Sequence, residues 1–170
     1  MNIGWQLLIP LVPKDPKIYI IQSAHLEDLI LSAGNFSFFF QAHPGNCICI
    51  EFDPTGKYFA VGSADALVSL WDANELACLR TFNRLEWPVR TISFSHDGKL
   101  LASASEDTVI DVAHVETGEK VADIPVHSPS FTIAWHPKRY LLAYACDDKE
   151  KYDRDRDQGS LKVWGFPSED

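Results

Sequence analysis

The chain has 170 residues, 24 of them acidic and 15 basic, for a formal net charge of -9 at pH 7. So acidic a chain lacks a nonspecific electrostatic grip on nucleic-acid phosphates, and RNA is expected to be reached only indirectly. Its four cysteines, Cys47, Cys49, Cys78 and Cys146, lack the second nearby pair of a zinc site, so they read as reduced thiols rather than a metal or disulfide framework.

Residues 1–41 read as a divergent N-terminal segment. The apolar run from Met1 to Val12 is interrupted by Pro10, Pro13, Lys14, Asp15 and Lys17, well short of the ~20 residues of a membrane span. No basic region and small-residue cleavage site mark a secretory signal, so the Asn35-Phe36-Ser37 sequon is expected to be inert. Lys17 to Gln22 and Phe36 to Gln41 read as strands, and Ser23 reads as the N-cap of a short helix from Ala24 to Leu31.

From Ala42 onward the sequence repeats. Phe52-Asp53-Pro54-Thr55-Gly56-Lys57 returns 42 residues later as Phe94-Ser95-His96-Asp97-Gly98-Lys99. Three units follow, at 42–82, 84–124 and 127–170. Each opens on an apolar-spacer-aromatic strand: Ile50-Glu51-Phe52, Ile92-Ser93-Phe94 and Ile133-Ala134-Trp135. A turn comes next, built from types that initiate turns and tolerate positive φ in the first two units, and from His136-Pro137-Lys138-Arg139 in the third. Second strands are predicted over Tyr58 to Ser63, Leu100 to Ser105 and Leu141 to Cys146, each closed by an acidic turn residue, Asp65, Asp107 or Asp148. Third strands are predicted to end at Trp71, Ala113 and Trp164.

A period of about 40–45 residues holding several short strands is the mark of propeller blades. The expected fold is all-β, a partial propeller of about three blades of four-stranded antiparallel sheet. A closed ring takes roughly four to eight blades, so this chain alone does not close one. After Trp164 too little sequence remains for a further strand, and the expectation is a fragment, a splice variant or a faulty gene model. Phe36 to Gln41, directly before His43, is placed as the remnant outer strand of a preceding blade.

Ala42-His43, Ser63-x-Asp65 and Leu70-Trp71-Asp72 together resemble a WD-repeat blade. The resemblance implies a buried structural relay, carried here by His43, Ser63, Asp65 and Trp71, in which polar groups satisfy one another. The second unit keeps Ser105 and Asp107 but has Ala113 at the Trp position and no matching His. The third keeps Asp148 and Trp164 with Cys146 at the Ser position, so both relays are partial. Gly62 to Asp72, Leu85-Glu86-Trp87-Pro88-Val89-Arg90-Thr91, Ala102 to Asp107 and Ala134-Trp135-His136-Pro137-Lys138-Arg139 are further similar, in order and spacing, to the C-terminal blades of the THO complex subunit 3 family. That resemblance covers Ala42 to Asp170. It implies a non-catalytic nuclear scaffold in the transcription-export (TREX) assembly, acting in messenger RNA processing, splicing and transport, with the other THO and export subunits as partners.

Candidate partner contacts are Trp87, Lys138, Arg139, Asp153 and Asp155. Trp87 precedes Pro88 where the second unit's relay His is expected, so it either caps the blade or stands exposed as an anchor. Arg84 and Arg90 read as solvated charges. Asp153 to Gly159 echoes a calcium loop, yet Gln158 and Trp164 stand where an EF-hand needs Gly and Glu. It reads instead as a solvated inserted loop of alternating charge. No phosphate-cradling glycine loop, nucleophile elbow or zincin motif is present, and His25, His96, His114, His127 and His136 fall at unrelated positions. The expectation is no enzyme activity, cofactor, metal or small-molecule substrate. A rival reading is another WD-repeat scaffold, such as a cullin-type ubiquitin-ligase substrate receptor. Such receptors often carry an Arg two residues after Trp-Asp, where this chain has Ala73-Asn74. A truncated isoform without autonomous function is the other alternative.

Overall fold

The computed structural model describes residues 17–18, 37–38, 41–148 and 158–166. The expected helix, most of the two N-terminal strands, and Asp153 and Asp155 lie outside the described residues. The chain divides into two units, Met1–Gln41 and Ala42–Asp170. In the first, strands β1 (Lys17–Ile18) and β2 (Ser37–Phe38) pair in parallel.

The second unit contains three antiparallel sheets in succession. Blade 1 is the meander β3 (Cys47–Phe52), β4 (Tyr58–Ser63), β5 (Val68–Asp72) and β6 (Cys78–Phe82). Blade 2 repeats it with β7 (Thr91–Phe94), β8 (Leu100–Ala104), β9 (Val109–His114) and β10 (Lys120–Pro125). Blade 3 has three strands among the described residues, β11 (Thr132–Trp135), β12 (Leu141–Asp148) and β13 (Gln158–Gly165). The innermost strands β3, β7 and β11 pack side by side. This is a partial β-propeller whose ring is not closed.

The turn chemistry explains why the first hairpin of each blade repeats. The N–H of Asp53, Ser95 and His136 donates to the carbonyl five residues on, at 3.0, 2.9 and 2.7 Å. In the first two turns the side chain of that same residue accepts from the same downstream N–H: Asp53 Oδ1 from Tyr58 at 2.7 Å and Ser95 Oγ from Leu100 at 2.9 Å. Gly56 and Gly98 complete these turns at φ of 74° and 72°, a region that Gly enters without the Cβ penalty. The third turn closes without glycine, using the His136 ring nitrogen to accept from Lys138 N–H at 3.1 Å.

Strand alternation directs one face of each sheet to the preceding blade and the other to the following one. Val68 and Leu70 of blade 1 bury against Ile92, Phe94 and Leu101 of blade 2. Ile110 and Val112 of blade 2 bury in the same way against Ile133, Trp135 and Leu142 of blade 3. Each such side chain contributes about 1.5–3 kcal/mol of burial, so the two seams dominate the stability of the unit. A polar line crosses the inner strands as well. Glu51 accepts from Phe94 N–H at 3.3 Å and Ser93 Oγ at 3.4 Å, and Ser93 Oγ accepts from Trp135 N–H at 3.2 Å. Burial raises the Glu51 carboxyl above its ordinary range, while the donors on Phe94 and Ser93 oppose that rise.

Asp148 departs from expectation. It was expected in a turn like those of Asp65 and Asp107, but it belongs to β12 and pairs with Gln158. The third hairpin simply runs on longer than its counterparts, because the backbone ladder continues where the apolar alternation stops.

Candidate functional site

The polar network of blade 1 runs from the loop before β3 to the heart of β5. Ser69 Oγ accepts from the Trp71 indole N–H at 2.7 Å and lies 2.7 Å from His43 Nε2. His43 Nδ1 lies 3.2 Å from Asp65 Oδ2. Since Ser69 accepts from Trp71, its own proton is directed to Nε2, which leaves the Nδ1–H for the carboxylate. His43, Ser69 and Trp71 are all buried. Burial pushes the Asp65 carboxyl up, but hydrogen bonds from Leu67 N–H and Ser63 and the neighbouring His43 outweigh it, and the net shift is downward.

The serine between His43 and Trp71 is Ser69, while Ser63, the serine expected there, contacts the relay at Asp65. Ser63 ends β4 and its Oγ accepts from Asp65 N–H at 3.4 Å, holding the turn that aims the carboxylate. Ser69 is two residues before Trp71 on one strand, so the pleat places both side chains on one face. Ser63 lies on that face too, since Val61 stands opposite Ser69, so closeness to Trp71 along the strand rather than parity sets Ser69 apart.

Blade 2 solves the same problem differently. Asp107 Oδ2 accepts from Ser105 Oγ at 2.6 Å and from the N–H groups of Glu86 and Trp87 at 2.9 and 3.2 Å. The carboxylate thus grips the loop backbone directly where blade 1 uses His43. Asp111 occupies the position of Ser69, and Arg84 donates to it twice, Nε to Oδ1 at 2.5 Å and Nη2 to Oδ2 at 2.8 Å. Arg84 also reaches the Gly118 carbonyl at 3.1 Å, so it is a structural ion pair and not the solvated charge expected of it. Arg90 is paired too, with Glu106 Oε1 at 2.6 Å on the surface.

Blade 3 has no such relay among the described residues. Trp164 instead packs against Trp135 and Phe166, with ring centroids 6.3 and 4.8 Å away. Cys146 lies buried with its Sγ 3.1 Å from Ser130 Oγ.

Of the candidate contacts, Trp87 is 54% exposed although its backbone is tied to Asp107, so the indole stands off the blade on a fixed stem. Lys138 and Arg139 are exposed and make no ion pair with any described residue. The candidates do not form one cluster with the relay, which is internal to blade 1. Among the described residues no group of three or more His, Cys, Asp or Glu is placed to hold a metal ion, and no helix is long and apolar enough to cross a membrane.

Three antiparallel blades on adjacent inner strands, with an Asp-His-Ser-Trp relay in the first, define a partial WD-repeat propeller, and the chain carries WD repeats. Residues 34–72 match the family model for the WD domain, G-beta repeat, and residues 83–138 match that for the anaphase-promoting complex subunit 4 WD40 domain. The chain is similar to THO complex subunit 3 of Arabidopsis thaliana, with 56% identity over 128 residues that cover 75% of this chain and 40% of the relative. The WD repeat-containing protein AAC3 of Dictyostelium discoideum is 40% identical over 74% of this chain and 25% of its own length. The solved structure of U3-55K superposes with a TM-score of 0.64 at 17% identity, covering 74% of this chain and 37% of that one, which speaks to the fold alone. The chain therefore spans well under half the length of the relatives it matches.

Proposed function

We propose that the chain is a non-catalytic scaffold subunit of a THO-type transcription-export assembly. It acts in the nucleus, in messenger RNA processing and export, by holding other protein subunits. The observation that carries this reading is the 56% identity to THO complex subunit 3 over 128 residues, 75% of this chain, far above the 17% at which the bare fold is shared with U3-55K. The net charge of -9 further supports contact with RNA through partners rather than directly.

The histidines support the non-catalytic part of the reading. His43 is committed to the relay, and His96 packs on the Tyr140 ring with centroids 4.9 Å apart. The test is replacement in cells. With the endogenous THO subunit depleted, expression of this chain should restore the cytoplasmic distribution of polyadenylated RNA seen by in situ hybridisation. Nuclear retention that persists despite normal levels of the chain refutes the proposal.

A further inference from the structure

The loop that carries Trp87 is tied down on both sides of it. Leu85 and Val89 are 7% and 0% exposed. The N–H groups of Glu86 and Trp87 bind Asp107 Oδ2 at 2.9 and 3.2 Å, that of Val89 binds the Ser63 carbonyl at 2.9 Å, and that of Arg90 binds the Ala104 carbonyl at 2.9 Å. Pro88 fixes φ at the remaining position. Yet the indole between these anchors is 54% exposed. Blade 2 is packed on both faces, against blade 1 and blade 3, so the indole stands clear of two neighbours that are present. The repeat does not ask for an aromatic here. Trp87 lies five residues before Ile92, and five residues before Ile50 and Ile133 the other blades have Gly45 and Ser128.

The charges around the indole define its occupant. Both arginines of the loop are engaged, Arg84 by Asp111 and Arg90 by Glu106. Glu86 is exposed and pairs with no described cation, and among the described residues Asp107 is held by uncharged donors, Ser105 Oγ and two N–H groups. No described cation lies over the Trp87 ring.

We propose that Trp87 and Glu86 receive a cationic side chain, arginine or lysine, from a segment of a partner protein. The face of an indole attracts a cation through its quadrupole, and the carboxylates beside this one lack a countercharge. An acidic segment would be repelled by Glu86 and Asp107, and an apolar one would desolvate Glu86 without pairing it. Because the loop is already ordered, little conformational freedom is lost on binding. The inference deepens the scaffold reading and rests on it for taking the occupant to be a protein.

The experiment is fluorescence anisotropy on the purified full chain, with a fluorescein-labelled Gly-Ser peptide carrying a central Arg-Gly-Arg and matched peptides carrying Glu-Gly-Glu or Leu-Gly-Leu. Only the arginine peptide should bind, and more weakly as salt rises. Trp87→Ala and Glu86→Lys, with the fold kept by circular dichroism, should each weaken that binding about fivefold or more. Glu75→Lys makes the same change in net charge in the β5–β6 turn, at the opposite end of the strands from the β8–β9 turn that Trp87 binds, and should change affinity less than about twofold. Absence of binding by the arginine peptide, equal binding of either control peptide, a Trp87→Ala variant that binds like wild type, or a loss in Glu75→Lys as large as in Glu86→Lys overturns the proposal. None of these outcomes touches the scaffold reading, which fails instead when the other subunits are not recovered from nuclear extract.

Discussion

Arg84 and Asp111 face one another across blade 2 as a bidentate ion pair, with contacts of 2.5 and 2.8 Å. The carboxylate is fully buried while the guanidinium keeps some exposure, with side chains 2% and 27% exposed. The pair stands where blade 1 places Ser69. Removing one partner leaves a buried charge uncompensated, a loss of about 3–5 kcal/mol. Arg84→Ala is therefore expected to lower the urea midpoint sharply with little change in slope. Replacing both residues by leucine should recover much of that loss, and a double variant no more stable than Arg84→Ala would contradict the assignment.

The relay of blade 1 makes a sharper comparison between two serines. Ser69→Ala removes a hydrogen bond from both the Trp71 indole and His43 Nε2, each buried, and should cost about 2–3 kcal/mol. Ser63→Ala loses a long contact to the Asp65 N–H and its hydrogen bond to the Asp65 carboxylate, both at a partly exposed turn, and should cost about 1 kcal/mol. Thermal unfolding of the two variants side by side checks the order. Equal losses would mean that Ser63 weighs as much in the relay as Ser69.

Much of this arrangement is legible in the sequence, and the misses have physical causes. The β4 strand, Tyr58 to Ser63, follows from its apolar run and the Asp-Pro-Thr-Gly turn before it, because both signals are local. Parity alone does not choose between Ser63 and Ser69: with Phe59 opposite Trp71 and Val61 opposite Ser69, both serines share the face of the Trp71 indole, and the choice rests on which hydroxyl lies within reach of the indole and His43. The Arg84–Asp111 pair joins residues 27 positions apart on a loop and a strand, and no periodicity connects them. Asp148 was misplaced because a hairpin's length is set by backbone pairing that continues after the side-chain pattern ends.

A pH dependence follows from the contact between Tyr140 and Asp97 at the seam of blades 2 and 3. The Tyr140 hydroxyl donates to Asp97 Oδ2 at 2.5 Å. Burial raises the Asp97 carboxyl, but donors on Tyr140, Ser95 and Lys99 outweigh it and hold the group well below the usual range. The same hydrogen bond, helped by burial, pushes Tyr140 up to about 12. A depressed carboxyl stabilises the fold above the ordinary value of about 3.9, and that contribution is lost as pH falls below it. A raised phenol stabilises below about 10, and its contribution is lost as pH climbs from there through the folded value. Melting temperatures measured from pH 2.5 to 11.5 should fall at both ends. Tyr140→Phe should remove the alkaline loss arising at this residue and soften the acid one. An unchanged alkaline limb in Tyr140→Phe would show that this pair does not set it.

Trp87 separates recognition from folding. Its N–H bond to Asp107 belongs to the backbone and survives truncation of the side chain. Trp87→Ala is expected to leave the unfolding midpoint within about 0.5 kcal/mol of wild type. If the indole anchors a partner, affinity for the assembly should drop at least tenfold, the scale of an aromatic hot spot. Titration calorimetry against the reconstituted partner subunits reads this directly, and unchanged affinity removes Trp87 from the contact surface.

Recovery of partners from nuclear extract by the tagged full chain, with and without ribonuclease and read by mass spectrometry, tests the central proposal most directly. The scaffold reading predicts the other THO and export subunits in both samples at comparable yield. Loss of those subunits on ribonuclease treatment, or recovery of cullin-ligase adaptors in their place, would contradict it.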